Sequence, residues 1–121
     1  MSHIVTIKTE LRDRNGIVAA CRRLKLDAPI DGIHQLFDGK YSGLGIKLPG
    51  WQYPIVADCA TGGVKYDNYG GLWGEQAQFD LFLSTYAAEK AKIEARKKGY
   101  QLTSETIATD GTIRLVFSDP Q

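Results

Sequence analysis

Hydrophobic and polar positions alternate at the start of the chain. From His3 to Thr9, Ile4 and Thr6 fall on one face and His3, Val5 and Ile7 on the other, in a run rich in β-branched residues that predicts a strand. The period then changes. Ile17, Val18, Cys21 and Leu24 recur at helical spacing while Arg22, Arg23 and Lys25 fall mainly opposite them, and Asp13 supplies an N-cap, so a helix of about three turns follows. Leu26 leads into the breaker Pro29.

From Ile30 to Tyr66 turn residues interrupt the pattern every few positions: Asp31-Gly32, Asp38-Gly39, Gly43, Gly45, Pro49-Gly50 and Gly62-Gly63. This punctuation predicts short antiparallel strands near Ile33–Phe37, Leu44–Leu48, Tyr53–Asp58 and Val64–Asp67, with turns at Pro49-Gly50 and Gly62-Gly63. The glycine-rich stretch YDNYGGLWGE comes next. It opens the longest periodic element, a helix beginning near Glu75 with Phe79, Phe82, Leu83, Tyr86, Ala87 and Ile93 on one side, and with Ala91 and Ala95 small enough for close approach. Glu75 and Asp80 place negative charge near its start, Arg96, Lys97 and Lys98 place positive charge in its last turn, and Gly99 is suited to the left-handed C-cap. Tyr100–Ile107 and Thr112–Phe117 then read as a hairpin about Thr109-Asp110-Gly111, and Pro120 ends the order.

The succession of strand, helix, several strands, helix and two strands predicts an α+β fold. The simplest layered solution is a mostly antiparallel sheet with two helices packed on one face, and a ferredoxin-like, split βαβ topology is favoured. Length agrees with one domain spanning residues 1–121, large enough to bury a core without disulfide or metal. The 43% hydrophobic and 24% charged content and net charge of +1 are those of a globular protein and argue against a broad nucleic-acid or membrane footprint. No window approaches the ~18 apolar residues of a membrane span, and the N-terminus lacks the features of a secretory signal, so a cytoplasmic protein is expected. Cys21 and Cys59 fit no metal or redox spacing and read as free thiols.

The opening MSHIVTIKTELRD, the block FLSTYAAEKAKIEARKKGY and the ending DGTIRLVF resemble the family labelled domain of unknown function 1257, which includes the hypothetical chloroplast reading frame 35 proteins of algal plastids and cyanobacteria. The resemblance covers both ends and the long helix, and leaves out the segment from Pro29 to Trp51. It implies that the chain is one complete module. It implies no catalytic residue and no cofactor, and it associates bacterial relatives with genes for AAA-type ATPases.

Candidate chemistry is sparse. Gly70-Gly71-Leu72-Trp73-Gly74 before a helix superficially matches a phosphate loop, but it lacks the dinucleotide fingerprint and the Lys-Ser/Thr of a Walker A sequence. Asp67, Glu75 and Asp80 add negative charge there, and Glu75 can satisfy the helix N-terminus itself. A structural loop seating Trp73 is the stronger reading. His3, His34, Cys21 and Cys59 have no metal-ligand spacing, and Asp58 beside Cys59 would raise the pKa of a nucleophilic thiol that took His3 or His34 as base. The bases Lys90, Lys92, Arg96, Lys97 and Lys98, with Arg22, Arg23 and Lys25, suggest nucleic-acid binding through the helix faces. Glu89 and Glu94 interrupt them, Glu94 to Lys98 being a helix-supporting pair, so solvated faces account for them better.

The aromatic set Trp51, Tyr53, Tyr66, Tyr69 and Trp73 is the feature least explained by scaffold. Tyrosine and tryptophan combine contact area with a polar handle, and turns can gather them on one surface. The leading expectation is a non-catalytic protein-interaction or adaptor module that binds a protein partner or itself through Asp67, Asn68, Tyr69, Trp73, Trp51 and Tyr53. An enzyme or small-ligand domain with a pocket near Gly70–Gly74 is the alternative, and nucleic-acid binding the second.

Overall fold

The computed structural model describes residues 5–7, 11–109 and 113–119. Its elements run β1 (Val5–Ile7), α1 (Arg14–Arg23), β2 (Ile30–Leu36), β3 (Gly39–Ile46), β4 (Ile55–Ala57), β5 (Val64–Tyr66), a 3-10 turn at Tyr69–Gly71, α2 (Gln76–Lys97), β6 (Gln101–Ile107) and β7 (Ile113–Ser118). The α+β class with two helices and antiparallel sheets is thus as expected. His3, the outer parts of the first strand, Asp110-Gly111, Thr112 and Pro120 lie outside the described residues.

The main sheet has the order β1-β5-β4-β3-β2, and β6-β7 form a separate two-stranded ribbon. Every neighbouring pair is antiparallel. This is not the ferredoxin-like order. Short turns let each strand from β2 to β5 pair with its neighbour in sequence, and the last two strands pair with each other instead of entering the main sheet.

Strands β2 and β3 also run longer than punctuation suggested. A two-residue turn at Phe37 and Asp38 zips them in unbroken register from Leu36↔Gly39 to Ile30↔Gly45. Gly32 and Gly43, read as breakers, stand opposite each other inside the ladder. Pro49-Gly50 does form a turn, with Trp51 N–H donated to Leu48 C=O at 3.1 Å and Gly50 at φ 74°.

The register places Leu44, Ile46, Ile55, Ala57, Val64 and Tyr66 on one face, where they join Ile17, Ala20 and Cys21 of α1 and Phe79, Phe82 and Tyr86 of α2 in one buried cluster. Both helices therefore cover the same face. They approach closely because Gly16 has no side chain; a Cβ there would lie 2.9 Å from Tyr86 Cε1. The Tyr86 hydroxyl in turn accepts the Asp13 N–H at 3.1 Å. Asp13 caps α1 as expected, its Oδ1 accepting from Asn15 and Gly16.

From Thr85 onward helical spacing misassigns some positions of α2. Ala87 is exposed and Ile93 half-buried, whereas Thr85 and Ala88 are buried. From here α2 meets α1 and β6 as well as the sheet, and the contact is ionic: Arg23 bonds Glu89 at 3.0 Å and Glu105 at 2.7 Å, and Lys92 reaches Glu89 at 2.8 Å and Glu105 at 2.9 Å. This closed set of two cations and two carboxylates fastens the β6–β7 ribbon to both helices. On the same face of the ribbon, where Leu115 stands opposite Glu105, Ile113, Leu115 and Phe117 line a groove of about 520 Å³ with Ser84, Ala87, Ala88 and Ala91 of α2.

Candidate functional site

The loop between β5 and α2 is built from its own polar groups. Asp67 Oδ1 accepts the Tyr69 N–H at 3.0 Å, and the Asn68 carbonyl accepts from Gly71 at 3.0 Å and from Trp73 at 2.9 Å. Tyr69, Gly70 and Gly71 all take left-handed φ, at 49°, 63° and 102°. In a tyrosine that conformation costs about 1 kcal/mol, offset here by the bonds on either side. The Asn68 side chain donates to Gln76 on α2 at 3.3 Å, and Gln76 donates to Asp80 at 3.1 Å.

A second loop clamps the first. Gln52 N–H is donated to Trp73 C=O at 2.8 Å, and the Trp51 indole N–H to Glu75 C=O at 3.1 Å. Gly74 permits this approach, since any Cβ there would collide with the Trp51 ring. Trp73 is consequently fixed through both its N–H and its carbonyl.

Trp73 is half-buried, and its ring is the hub of an aromatic cluster. Tyr69 stacks on it at 4.8 Å, Phe37 lies tilted at 5.2 Å, and Tyr53 meets it edge-on at 5.6 Å. Leu72, 77% exposed, and Phe37, 56% exposed, extend the patch, with Tyr53, Tyr69 and Trp73 half-buried. The Trp73 indole N–H and the Tyr53 hydroxyl have no hydrogen-bond partner among the described residues.

The six residues expected at an interaction surface therefore divide. Tyr53, Tyr69 and Trp73 converge on it. Asp67 is 0% and Asn68 8% exposed, so both act inward, holding the loop's turn and offering no contact area. Asp67 Oδ2 is buried without a partner. Trp51 belongs to an inner layer with Tyr66 and Phe79, at centroid distances of 4.8 to 6.0 Å. Burial there pushes the Tyr66 hydroxyl's pKa up, Asp80 adds to the rise and the Gln76 bond opposes it. Sequence reasoning missed Phe37 and Leu72. A large apolar residue set directly into a turn was the available signal in both cases.

The segments supplying Tyr53, Tyr69, Leu72 and Trp73 are poor in cations, whereas exposed Lys40 lies three residues after Phe37 on the β2–β3 hairpin. Stretches 48–64 and 66–89 contain no lysine or arginine. Exposed Asp38, Glu75 and Asp80 adjoin the aromatic residues in sequence. Glu75 holds the N-cap position of α2 but makes no capping bond with its side chain, contrary to the expectation that it would satisfy the helix end. Its carboxylate has no partner among the described residues.

Other chemistries find less support. The N–H groups of Gly71, Leu72 and Trp73 are all donated within the loop, which leaves them unable to cradle a phosphate. Among the described residues no cluster of His, Cys, Asp or Glu could hold a metal, and His3 lies outside them. Burial pushes the Cys21 thiol up to about 11. Burial also raises Cys59, with Asp58 adding to the rise and Arg14 opposing it. Neither is an activated nucleophile, and His34 Nε2 is engaged with Ile30 C=O at 2.8 Å. Concavities of about 300, 60, 410 and 520 Å³ are lined by residues other than Gly70–Gly74. Arg23 and Lys92 are tied up in the ionic set, which removes two cations from the basic face, and exposed Lys97 approaches Glu94 at 3.6 Å in place of the Lys98 expected from sequence. No described helix is long and apolar enough to cross a membrane.

Comparison with protein-family models, curated proteins and solved structures gave no match for the chain.

Proposed function

We propose that this chain is a non-catalytic docking module that binds a protein partner through Phe37, Tyr53, Tyr69, Leu72 and Trp73. One observation carries the reading: Trp73 is clamped through its backbone N–H and carbonyl, while it stays only half-buried and the neighbouring Leu72 is 77% exposed. A fixed aromatic anchor loses little conformational entropy on binding, which is the property of interface hot spots. The sequence resemblance to the domain of unknown function 1257 family, although no family model matches the chain, makes a cytoplasmic AAA-type ATPase the first partner to assay.

The test places a photocrosslinking amino acid at position 72, with position 96 on the basic end of α2 as control. A discrete adduct from position 72 that disappears on Trp73→Ser, in a variant with unchanged circular dichroism, is the expected result. Equal adducts from both positions, or none from position 72, would remove the surface from consideration.

A further inference from the structure

Resting on that docking reading, we propose that the surface takes a proline-rich segment in the polyproline II conformation, carrying an arginine or lysine beside its prolines. The rings themselves narrow the choice. Phe37, Tyr53 and Tyr69 touch Trp73 at 4.8 to 5.6 Å, so no gap between them can enclose a side chain as an aromatic cage would. A ligand must lie across them.

From Phe37 through Trp73 to Tyr69 the ridge spans at most about 10 Å, close to the ~9 Å advance of one polyproline turn. A polyproline segment makes no internal hydrogen bonds and presents bare carbonyl oxygens. The Trp73 indole N–H and the Tyr53 hydroxyl are the complementary donors, and both lack a partner among the described residues. A helix would bring its carbonyls already bonded. An added strand would use the open edge of β2, and of the ring cluster only Phe37 adjoins that strand in sequence.

Charge supplies the second element of recognition. Lys40 lies at the Phe37 end, where Asp38 adjoins Phe37 in the turn. At the opposite end the exposed Glu75 carboxylate, without a partner among the described residues, stands two residues beyond Trp73, and stretches 48–64 and 66–89, which supply Tyr53, Tyr69, Leu72 and Trp73, hold no base. A cation flanking the prolines meets attraction there, and a carboxylate meets repulsion.

The chain has two tryptophans, which makes the test direct. The ¹⁵N-labelled protein is titrated with a pool of decapeptides having two fixed Pro-X-X-Pro units, a terminal arginine and degenerate intervening positions. Parallel pools carry glycine for proline, or glutamate for arginine. The Trp73 indole signal should shift with the proline pool while that of Trp51, already bonded to Glu75 C=O, stays in place. The glycine pool should leave both unmoved. The glutamate pool should bind about tenfold more weakly, Glu75→Gln should reduce that preference to about threefold or less, and Trp73→Phe should weaken binding about fivefold or more.

An unmoved Trp73 signal at millimolar proline pool, or equal binding of the glycine pool, overturns the polyproline assignment. If a specific adduct still forms from position 72, docking stands and only the partner's chemistry falls. If that adduct is absent too, both fall.

Discussion

Tyr69 and Lys25 are the non-glycine residues with positive φ among those described, at 49° and 59°. They hold the same conformation for different ends. Lys25 closes α1 in a Schellman pattern, with its N–H to Arg22 C=O at 3.2 Å and Leu26 N–H to Cys21 C=O at 2.8 Å, the position that Gly99 fills after α2 at φ 83°. Lys25→Gly should therefore stabilise the protein by up to about 1 kcal/mol, read as a higher urea midpoint at unchanged slope. A lower midpoint would mean that packing of the Lys25 stem outweighs the strain. Tyr69 has a ring to place, so relief of its strain by glycine comes at the loss of the stack on Trp73. Gly74→Ala should cost about 1–3 kcal/mol, because the added methyl must displace the Trp51 ring from its seat under the loop. The two thiols should separate in native-state labelling at pH 8: Cys21, buried and pushed up to about 11, reacts only as the protein unfolds, and half-buried Cys59 reacts sooner.

Among the elements, the ribbon of β6 and β7 is the one whose attachment depends on charge. Burial raises the Glu105 carboxyl, but its bonds to Arg23 and Lys92 and their charges outweigh that and hold its pKa below the usual carboxylate value. A carboxylate with a depressed folded pKa contributes stability that is present above its unfolded pKa and lost as pH falls through the folded one. Glu105→Gln should cost about 1 kcal/mol at neutral pH, and the gap between wild type and variant should close on acidification through that window. A gap independent of pH would show that the network contributes geometry and not charge. The helices were largely legible in sequence because their stop signals are local: Asp13, the basic last turn and Gly99 each act within one turn of chain. The strands were not, because Gly32 and Gly43 break a strand or sit inside one according to what stands across from them.

For the whole molecule, packing is uneven. The main sheet is covered by two helices that share one buried cluster, whereas the ribbon's described residues are exposed or half-buried and its apolar row faces α2. Two-stranded ribbons have little stability of their own. Amides of β6 and β7 should accordingly exchange with solvent well before those of β3 and β4 under native conditions, and equal protection would contradict this picture.

Sequence alone sufficed for the class, the two helices, the Asp13 and Gly99 caps, the turn at Pro49-Gly50 and the presence of an aromatic-rich centre. All of these follow from local periodicity, backbone preference and composition. Tertiary structure decided which aromatics face inward. Tyr66 is buried in the core and Trp51 packs against it, while Tyr53, Tyr69 and Trp73 gather outside it, because Gly74 lets one loop close over another from a distant part of the chain. It also decided that Asp67 and Asn68 serve the loop, that Glu75 keeps a free carboxylate, and that Phe37 joins Trp73. Each of those outcomes depends on groups brought together across tens of residues, and hydrophobic pattern carries no record of that distance.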